Sequence, residues 1–389
     1  MNLRFLTAGE SHGPALTAIL DGMPAGLPLN QSMINAQLAR RQRGFGAGER
    51  MKIEQDAARL LGGVMAGETN GAPISFLVEN ADHIKWKGKQ IAAMVKPRPG
   101  QADLTGAAKY GFRDLRPSLE RASARETTMR VAVGAVCRQF LLQFGISIGG
   151  FVQSLGTVEA DVDESNLVKS FEIAEKNELR CPDLLAEAQM KLAVEEVMRL
   201  GDTLGGVITL FAINVPVGLG AFSQWDKRLD AKLAHAVMSV QAIKGVEIGS
   251  AFENARLPGT KVQDEIRIEG KRLKRPTNRA GGFEGGITNG EPIIIHAAMK
   301  PIASTLIPQS TVDLTTGIPS PTKYERSDYC PVPRAVPVLE AMLAFVLADA
   351  LIEKLGGDSL AEMRPRFEKL RQLRLDDLPM DNQPHVWWE

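Results

Sequence analysis

Apolar and polar positions alternate through "ALTAILDG" (15–22) and "APISFLVEN" (72–80), the pattern of half-buried strands. "MKIEQDAARLLGG" (51–63), "GGVITLFAINVPVG" (205–218) and "EPIIIHAAMK" (291–300) read as further strands. A helical period runs through "NQSMINAQLARRQRG" (30–44), with Asn30 as its cap, and through "DKRLDAKLAHAVMSVQAIKG" (226–245). It also runs through "SARETTMRVAVGAVCRQFLLQFG" (123–145), predicting a long amphipathic helix from near Ser123 to Gly145. The most apolar stretch, "AVPVLEAMLAFVLADALIEKLGG" (335–357), is interrupted by Pro337, Glu340 and Asp349 and closed by Gly356 and Gly357. It is read as a core or subunit-contact helix rather than a membrane span.

Two pieces of this pattern recur. "TNGAPISF" (69–76) is echoed by "TNGEPIII" (288–295), and "MPAGL" (23–27) by "VPVGL" (215–219), with a helix between the echoes each time. The order suggests two similar αβ halves, about 1–155 and 200–345, in one domain; common Asn-Gly turn chemistry is the plainer alternative. The acidic, helix-patterned stretch at about 159–200 looks like a solvated insertion or cap, and 356–389 a C-terminal extension.

Composition narrows the class. Lysine plus arginine (46) equals aspartate plus glutamate (46), so no global field draws the chain to nucleic acid or to a membrane, and any anion site must be local. Cys137, Cys181 and Cys330 are too scattered for a disulfide framework or a zinc site. With no signal-peptide pattern at the start, a reducing cytoplasm is the expected home. Strand–GxGxxG–helix, GxxxxGK[ST] and HExxH patterns are all missing, so Rossmann, P-loop and zinc-protease readings lack support.

Five places carry candidate chemistry. In "GESHG" (9–13), His12 sits between glycines after a short apolar strand; an imidazole there suits a proton donor, or a turn histidine bonding its own loop. Arg40, Arg41, Arg43 and Arg50 surround "GFGAGE", and Arg121, Arg125 and Arg130 fall at the start of the long helix, where arginine forks and free N–H groups suit a polyanion. Arg121 and Arg125, four apart, are expected on one helical face. "RLKRPTNRAGGFEGG" (272–286) is a phosphate loop or a solvated hairpin. In "YERSDYC" (324–330), Arg326 and Asp328 stand two apart, so an extended segment would pair them on one face. "KPRPGQADL" (96–104), with two prolines and Gly100, reads as a rigid turn carrying Arg98, either a connector or part of a site.

Taken together, these pieces resemble chorismate synthase. "TAGESHGPALTAILDGMPAGLPL", "LERASARETTMRVAVGA" and "ERSDYCPVPRAVPVLEAM" are similar to that family's three motifs, and "NRAGGFEGGITNG" and "MKPI" also match, in order from about residue 3 to 355. The resemblance implies an α+β fold, a sandwich of helices between antiparallel sheets, assembled as a homotetramer. It implies a lyase that eliminates phosphate from 5-enolpyruvylshikimate 3-phosphate to give chorismate, requiring reduced FMN, with NADPH entering only as an indirect reductant. Carried over by position, His12 protonates the leaving phosphate, with Ser11 beside it. Asp328 assists proton removal through the flavin N5, and Arg326 orients it and touches substrate or flavin. Arg41, Arg98 and Arg125 hold the substrate's anionic groups, although the Arg41 position is also described as an NADPH contact. Flavin contacts fall on Arg121, Ala122, Ser123, Gln241, Ala242, Gly285, Lys300, Pro301, Ile302, Ala303, Ser304 and Arg326.

The chain also departs from the pattern. Gln101 stands where the family has a histidine near flavin N1, and an amide donates a hydrogen bond but does not titrate. Ala47 replaces an arginine, Gln241 an asparagine and Ser304 a threonine. Two readings follow: a working enzyme with an atypical flavin environment and an external flavin reductase as partner, or a diverged paralogue that binds FMN or phosphorylated ligand with little turnover.

Overall fold

A computed structural model describes residues 3–46, 55–325 and 327–388. Positions 47–54, and with them Ala47, Arg50 and most of the strand expected at 51–63, lie outside the described residues, as does Arg326.

The first sheet is built from β1 (Arg4–Ala8), β2 (Ala15–Asp21), β3 (Arg59–Gly62) and β6 (Ile74–Glu79), in the antiparallel order β1-β2-β6-β3. A small hairpin, β4 (Val64–Met65) and β5 (Glu68–Thr69), leads into β6. Along β2 and β6 buried residues alternate with more exposed ones, so this sheet offers one face to the core. The second sheet comprises β7 (Ser147–Leu155), β8 (Val158–Glu159), β9 (Gly206–Ile213), β10 (Ile243–Ile248) and β15 (Ile293–Met299), in the order β10-β15-β9-β7-β8. Between β10 and β15 lie two hairpins, β11 (Arg267–Glu269) with β12 (Arg272–Lys274) and β13 (Phe283–Glu284) with β14 (Ile287–Thr288). Leaving β8 aside, β10-β15-β9-β7 is the first sheet's order written backwards.

The two echoes occupy matching hydrogen-bond positions. Thr69 Oγ1 donates to Pro24 O (2.6 Å) and accepts from Leu27 N (3.0 Å); Thr288 Oγ1 donates to Pro216 O (2.7 Å) and accepts from Leu219 N (2.9 Å). Each threonine staples the loop after one strand to the hairpin that feeds its neighbour.

Helices fill the space between the sheets, as expected. After α1 (Gln31–Gln42), capped by Asn30 as its sequence predicts, come α2 (Asp103–Tyr110), α3 (Arg116–Ala122) and α4 (Thr127–Leu142). α4 packs on the first sheet, and α9 (Val332–Leu355) on β7 and β9 of the second. α9 is long and apolar enough to cross a membrane, yet its apolar stretch is buried inside the protein. Its acids are used internally: Asp349 accepts from Leu3 N at 2.8 Å, and Glu340 pairs with Arg40 and Arg138. The second half adds α7 (Leu229–Met238) and the single-turn α8 (Ala251–Asn254), and α10 (Leu360–Glu368) follows α9.

The acidic stretch differs from its solvated expectation. It forms α5 (Leu167–Ala174) and α6 (Leu184–Leu200), which bury Leu167, Ala174, Met190 and Val194. The cause lies in β7 and β9, which are apolar on both faces; Leu167 and Ala174 of α5 join Phe151, Phe211 and Ile294 in a second small core that covers the outer face. Its Glu175 bonds the buried guanidiniums of Arg40 (2.8 Å) and Arg180 (3.0 Å).

α4 and α9 approach closely because position 134 has no side chain. A Cβ there would lie 2.3 Å from the Ala341 Cβ and 2.5 Å from its Cα. Helix propensity favours alanine over glycine by about 1 kcal/mol, but backbone this close cannot yield cheaply. Gly134→Ala should therefore lower stability by about 1–3 kcal/mol, read as a lower urea midpoint at unchanged slope; a raised midpoint would refute this account of the contact.

Candidate functional site

The turn after β1 is shaped for close approach. Gly9 has φ of +104°, and a Cβ on it would lie 2.4 Å from Ala15 O. The turn docks on the junction of α3 and α4. Ser11 N donates to Glu120 O (3.2 Å), Ser123 Oγ bonds Ser11 Oγ (3.2 Å), and Ser11 is buried. Glu120 takes His12 with both oxygens: Oε1 lies 2.8 Å from Nδ1, and Oε2 accepts the His12 backbone N–H at 2.8 Å. The Trp86 ring lies 4.3 Å from the imidazole, centre to centre. With Nδ1 engaged, Nε2 is the nitrogen left to meet a ligand. Burial pushes the Glu120 carboxyl up, but the two bonds from His12, with its charge and that of Arg116, hold it below its usual range.

Asn80, at the end of β6, ties this turn to the arginines. Its Nδ2 donates to Gly13 O (2.8 Å) and its Oδ1 accepts Arg125 Nε (2.9 Å). Arg125 Nη1 then reaches both oxygens of Asp56, at 2.6 and 2.8 Å, and Arg41 Nη1 approaches the same carboxylate at 3.5 Å. Arg41 also donates to Thr127 Oγ1 (2.9 Å) and Ala124 O (2.8 Å), and its own carbonyl accepts Arg334 Nε (3.2 Å). Arg334 completes the row by pairing with Asp328. Burial and the neighbouring Arg334 charge pull Arg41 down to about 9, against the pull of Asp56.

One expected pairing changes. Arg121 and Arg125 do not share a face, because the helix breaks at Ser123, whose ψ of 142° starts a new turn. Arg121 is left exposed on Thr7, while Arg125 turns inward. Asp328 pairs with Arg334 at the start of α9, and its expected pairing with Arg326 falls on a residue outside the described ones. Arg40 joins no anion site, being held by Glu175 and Glu340.

A second bonded set gathers most residues assigned to the flavin. Arg121 donates to Thr7 Oγ1 (2.8 Å), Thr7 to Glu126 Oε1 (2.8 Å), and Gln241 Nε2 to Glu126 Oε2 (3.3 Å). Ala242, with φ of +68°, accepts Lys300 N at 2.9 Å, and Lys300 Nζ reaches Gly100 O at 2.8 Å. Arg98 grips Asp103 through Nε (2.8 Å) and Nη2 (2.9 Å) and bonds Ser304 Oγ (3.0 Å). Thus the turn 96–104 and the run Lys300, Pro301, Ile302, Ala303, Ser304 form one wall, with Gln101 half-buried in it. Ala122 is exposed and Ser123 half-buried at the neighbouring helix break. Gly285 stands apart from this bonded set, at the tip of the β13–β14 hairpin beside Phe222; there Arg275, one of the basic run's arginines, is bound by Glu284. The Gln241 Oε1 is buried with no hydrogen-bond partner among the described residues.

Comparison with known proteins decides the family. Residues 3–352 match the family model described as chorismate synthase. The chain belongs to the chorismate synthase family. It is 52% identical over 384 residues to the chorismate synthase of Aquifex aeolicus (strain VF5), covering 94% of this chain and 96% of that one. Over 383 residues it is 50% identical to that of Geobacter metallireducens, covering 94% and 98%. A solved structure titled "Crystal Structure of Chorismate Synthase" superimposes with a TM-score of 0.79 at 47% identity, covering 95% of this chain and 97% of that one. As a chorismate synthase family member the chain is a carbon–oxygen lyase acting on phosphates, in aromatic amino-acid biosynthesis.

Residue-by-residue reading missed the acids that organise the site: Asp56, Glu120 and Asp103, together with Asn80. Asp103 was within reach, five residues from Arg98 in the same turn. The break at Ser123 was also signalled, since Ser123 followed by Glu126 has the spacing of a capping box. Asp56 and Glu120 lie 69 and 108 positions from Arg125 and His12, and no local pattern reveals them.

Asp56→Ala leaves buried guanidiniums without their carboxylate, so it should cost about 3–5 kcal/mol in urea unfolding; a loss under about 1 kcal/mol would mean the row stands without it. Glu120 titrates lower folded than unfolded, so its contribution is full above the ordinary carboxylate range and is lost as pH falls through its lowered value. The urea midpoint of the wild type should exceed that of Glu120→Gln at pH 7, and the gap should close below about pH 4. A gap that stays constant with pH would rule out the charge contribution.

Proposed function

We propose that this chain eliminates phosphate from 5-enolpyruvylshikimate 3-phosphate in the anti-1,4 sense to give chorismate, and that it uses reduced FMN. The observation that carries the reading is the bonded row from the His12 turn through Arg125, Asp56 and Arg41 to Arg334 and Asp328. A 1,4-elimination breaks a C–H bond at one carbon and a C–O bond at another. It therefore needs a proton acceptor and a proton donor held apart, with cations between them for the substrate's carboxylates and phosphate.

His12 supplies the donor: Glu120 fixes its Nδ1, and Nε2 gives its proton to the departing phosphate oxygen. Asp328 supplies the acceptor, oriented by Arg334. Arg41, Arg98 and Arg125 bind the anionic groups, each already anchored by its own acid or carbonyl, so little rotamer freedom is lost on binding. Ser11 lies buried beside His12 and keeps its turn on α3.

The second bonded set suits a flavin phosphate and ring. Lys300 and Arg121 supply cations, Ser304 a hydroxyl, and Gln241 Oε1, without a partner among the described residues, an acceptor for a ring N–H. Ala122, Ser123, Ala242, Pro301, Ile302, Ala303 and Gly285 are the remaining proposed contacts, with Arg326. When bound, reduced FMN supplies electron density that stabilises the developing positive charge as the C–O bond loosens. Gln101 donates a neutral hydrogen bond where a titrating imidazole would also move a proton. NADPH acts only through an external flavin reductase, the working form is a homotetramer, and the compartment is the cytoplasm, where Cys137, Cys181 and Cys330 stay free and buried as they are here.

The test is phosphate release from the substrate under anaerobic conditions with chemically reduced FMN. Turnover is expected, and His12→Ala should lower it by about 10²–10⁴-fold. Ligand binding without turnover would favour the non-catalytic paralogue, a reading to which Gln101 gives specific support. Gln101→His should raise the rate if proton transfer belongs to that position, and leave it unchanged if hydrogen bonding is enough.

A further inference from the structure

A cavity of about 480 Å³ lies away from these residues. It forms where the chain after α10 returns to the second half. Leu273 N donates to Leu373 O (2.8 Å) and Leu375 N to Lys271 O (3.0 Å), adding residues 373–375 to the edge of β12. That pairing sets Arg272 directly opposite Arg374. Like charges facing each other across a strand pair are unfavourable unless something lies between them.

The other cations nearby have partners. Lys271 pairs with Asp376 (2.8 Å), Lys274 with Glu269 (2.5 Å) and Arg275 with Glu284 (2.6 Å). Arg272, Arg374 and Arg371 also line the cavity, and among the described residues none of their guanidiniums meets a carboxylate. The one acid in the wall, Glu291, accepts from the Arg275 backbone N–H. Phe367, Leu370 and Leu373 give the same cavity an apolar side.

We infer that this cavity is a second anion site, which takes a small organic molecule bearing two or more phosphate or carboxylate charges on an apolar body. Arg272 and Arg374 grip one charged group, Arg371 another, and the body packs on Phe367, Leu370 and Leu373. Binding there would clamp the C-terminal segment onto β12 and remove the repulsion between the facing arginines.

Calorimetric titration of the full chain at low salt, with inorganic pyrophosphate in one arm and citrate in the other, tests this and separates phosphate from carboxylate preference. The wild type should show one more binding event than Arg272→Gln/Arg374→Gln, or an event weakened roughly 100-fold in the variant. Neither arginine belongs to the proposed catalytic row or to the cavity's apolar side, so phosphate release should be unchanged in that variant, which separates failure here from failure of the proposed function. Hydrogen exchange locates the event: the amides of Leu273 and Leu375 should exchange more slowly with the anion present, in the wild type only. Identical isotherms for both proteins, or an event that leaves those amides unprotected, would overturn the inference.

Discussion

A carboxylate without solvent contact, Asp56, holds the proposed catalytic row together. Its side chain is fully buried between the guanidiniums of Arg125 and Arg41. Burying ions is costly, and the cost is recovered only when each remaining donor is bonded. Much of that bonding comes from three directions: Asn80 takes Arg125 Nε, Thr127 and Ala124 take Arg41, and Thr128 Oγ1 lies 3.4 Å from Asp56. One acid thus fixes the end of α1, the start of α4 and the strand end carrying Asn80 relative to each other. Arg125, Arg41 and Arg334 bring three positive charges to the row, against the carboxylates of Asp56 and Asp328. The row is left net positive, the state an anionic substrate needs.

The sequence revealed the residues proposed to touch ligands better than those that hold them. His12, Arg41, Arg98 and Arg125 sit in motifs whose glycines and helix starts announce them. Their supports are acids and amides whose relation to them exists only after folding: Glu120 to His12, Asp56 to Arg125, and Ser304 to Arg98 across 206 positions. Period and spacing describe one element at a time, and a hydrogen bond between elements leaves no trace in either. The exceptions prove instructive because they are local. Asp103 and the Ser123 cap lie within a turn of the residue they affect, and each changes how an arginine is aimed.

The fold shows the same division. Most strands and helices with a clear period appear where expected, α1 with its cap included, but the helix read over 226–245 ends at Met238 and its last residues enter β10. The acidic stretch misled because its charge pattern describes only its outer face. What it covers is decided by β7 and β9, apolar on both sides, which would otherwise expose Phe151 and Phe211. A strand that buries apolar residues on both faces is itself a request for a second layer, and Phe151 and Val152, on opposite faces of β7, make that request.

The turn 96–104 is held without help from the side chain at 101. Arg98 locks to Asp103, Lys300 Nζ to Gly100 O, and Thr311 Oγ1 to Pro97 O at 2.6 Å. Gln101 contributes its backbone N–H to Arg98 O (3.3 Å), which any residue but proline would supply. The frame that presents position 101 is therefore independent of what stands there. Exchanging imidazole for amide alters the chemistry offered without altering the fold that offers it. Divergence at this position is free of a stability constraint, and only the demands of the reaction decide which side chain can remain.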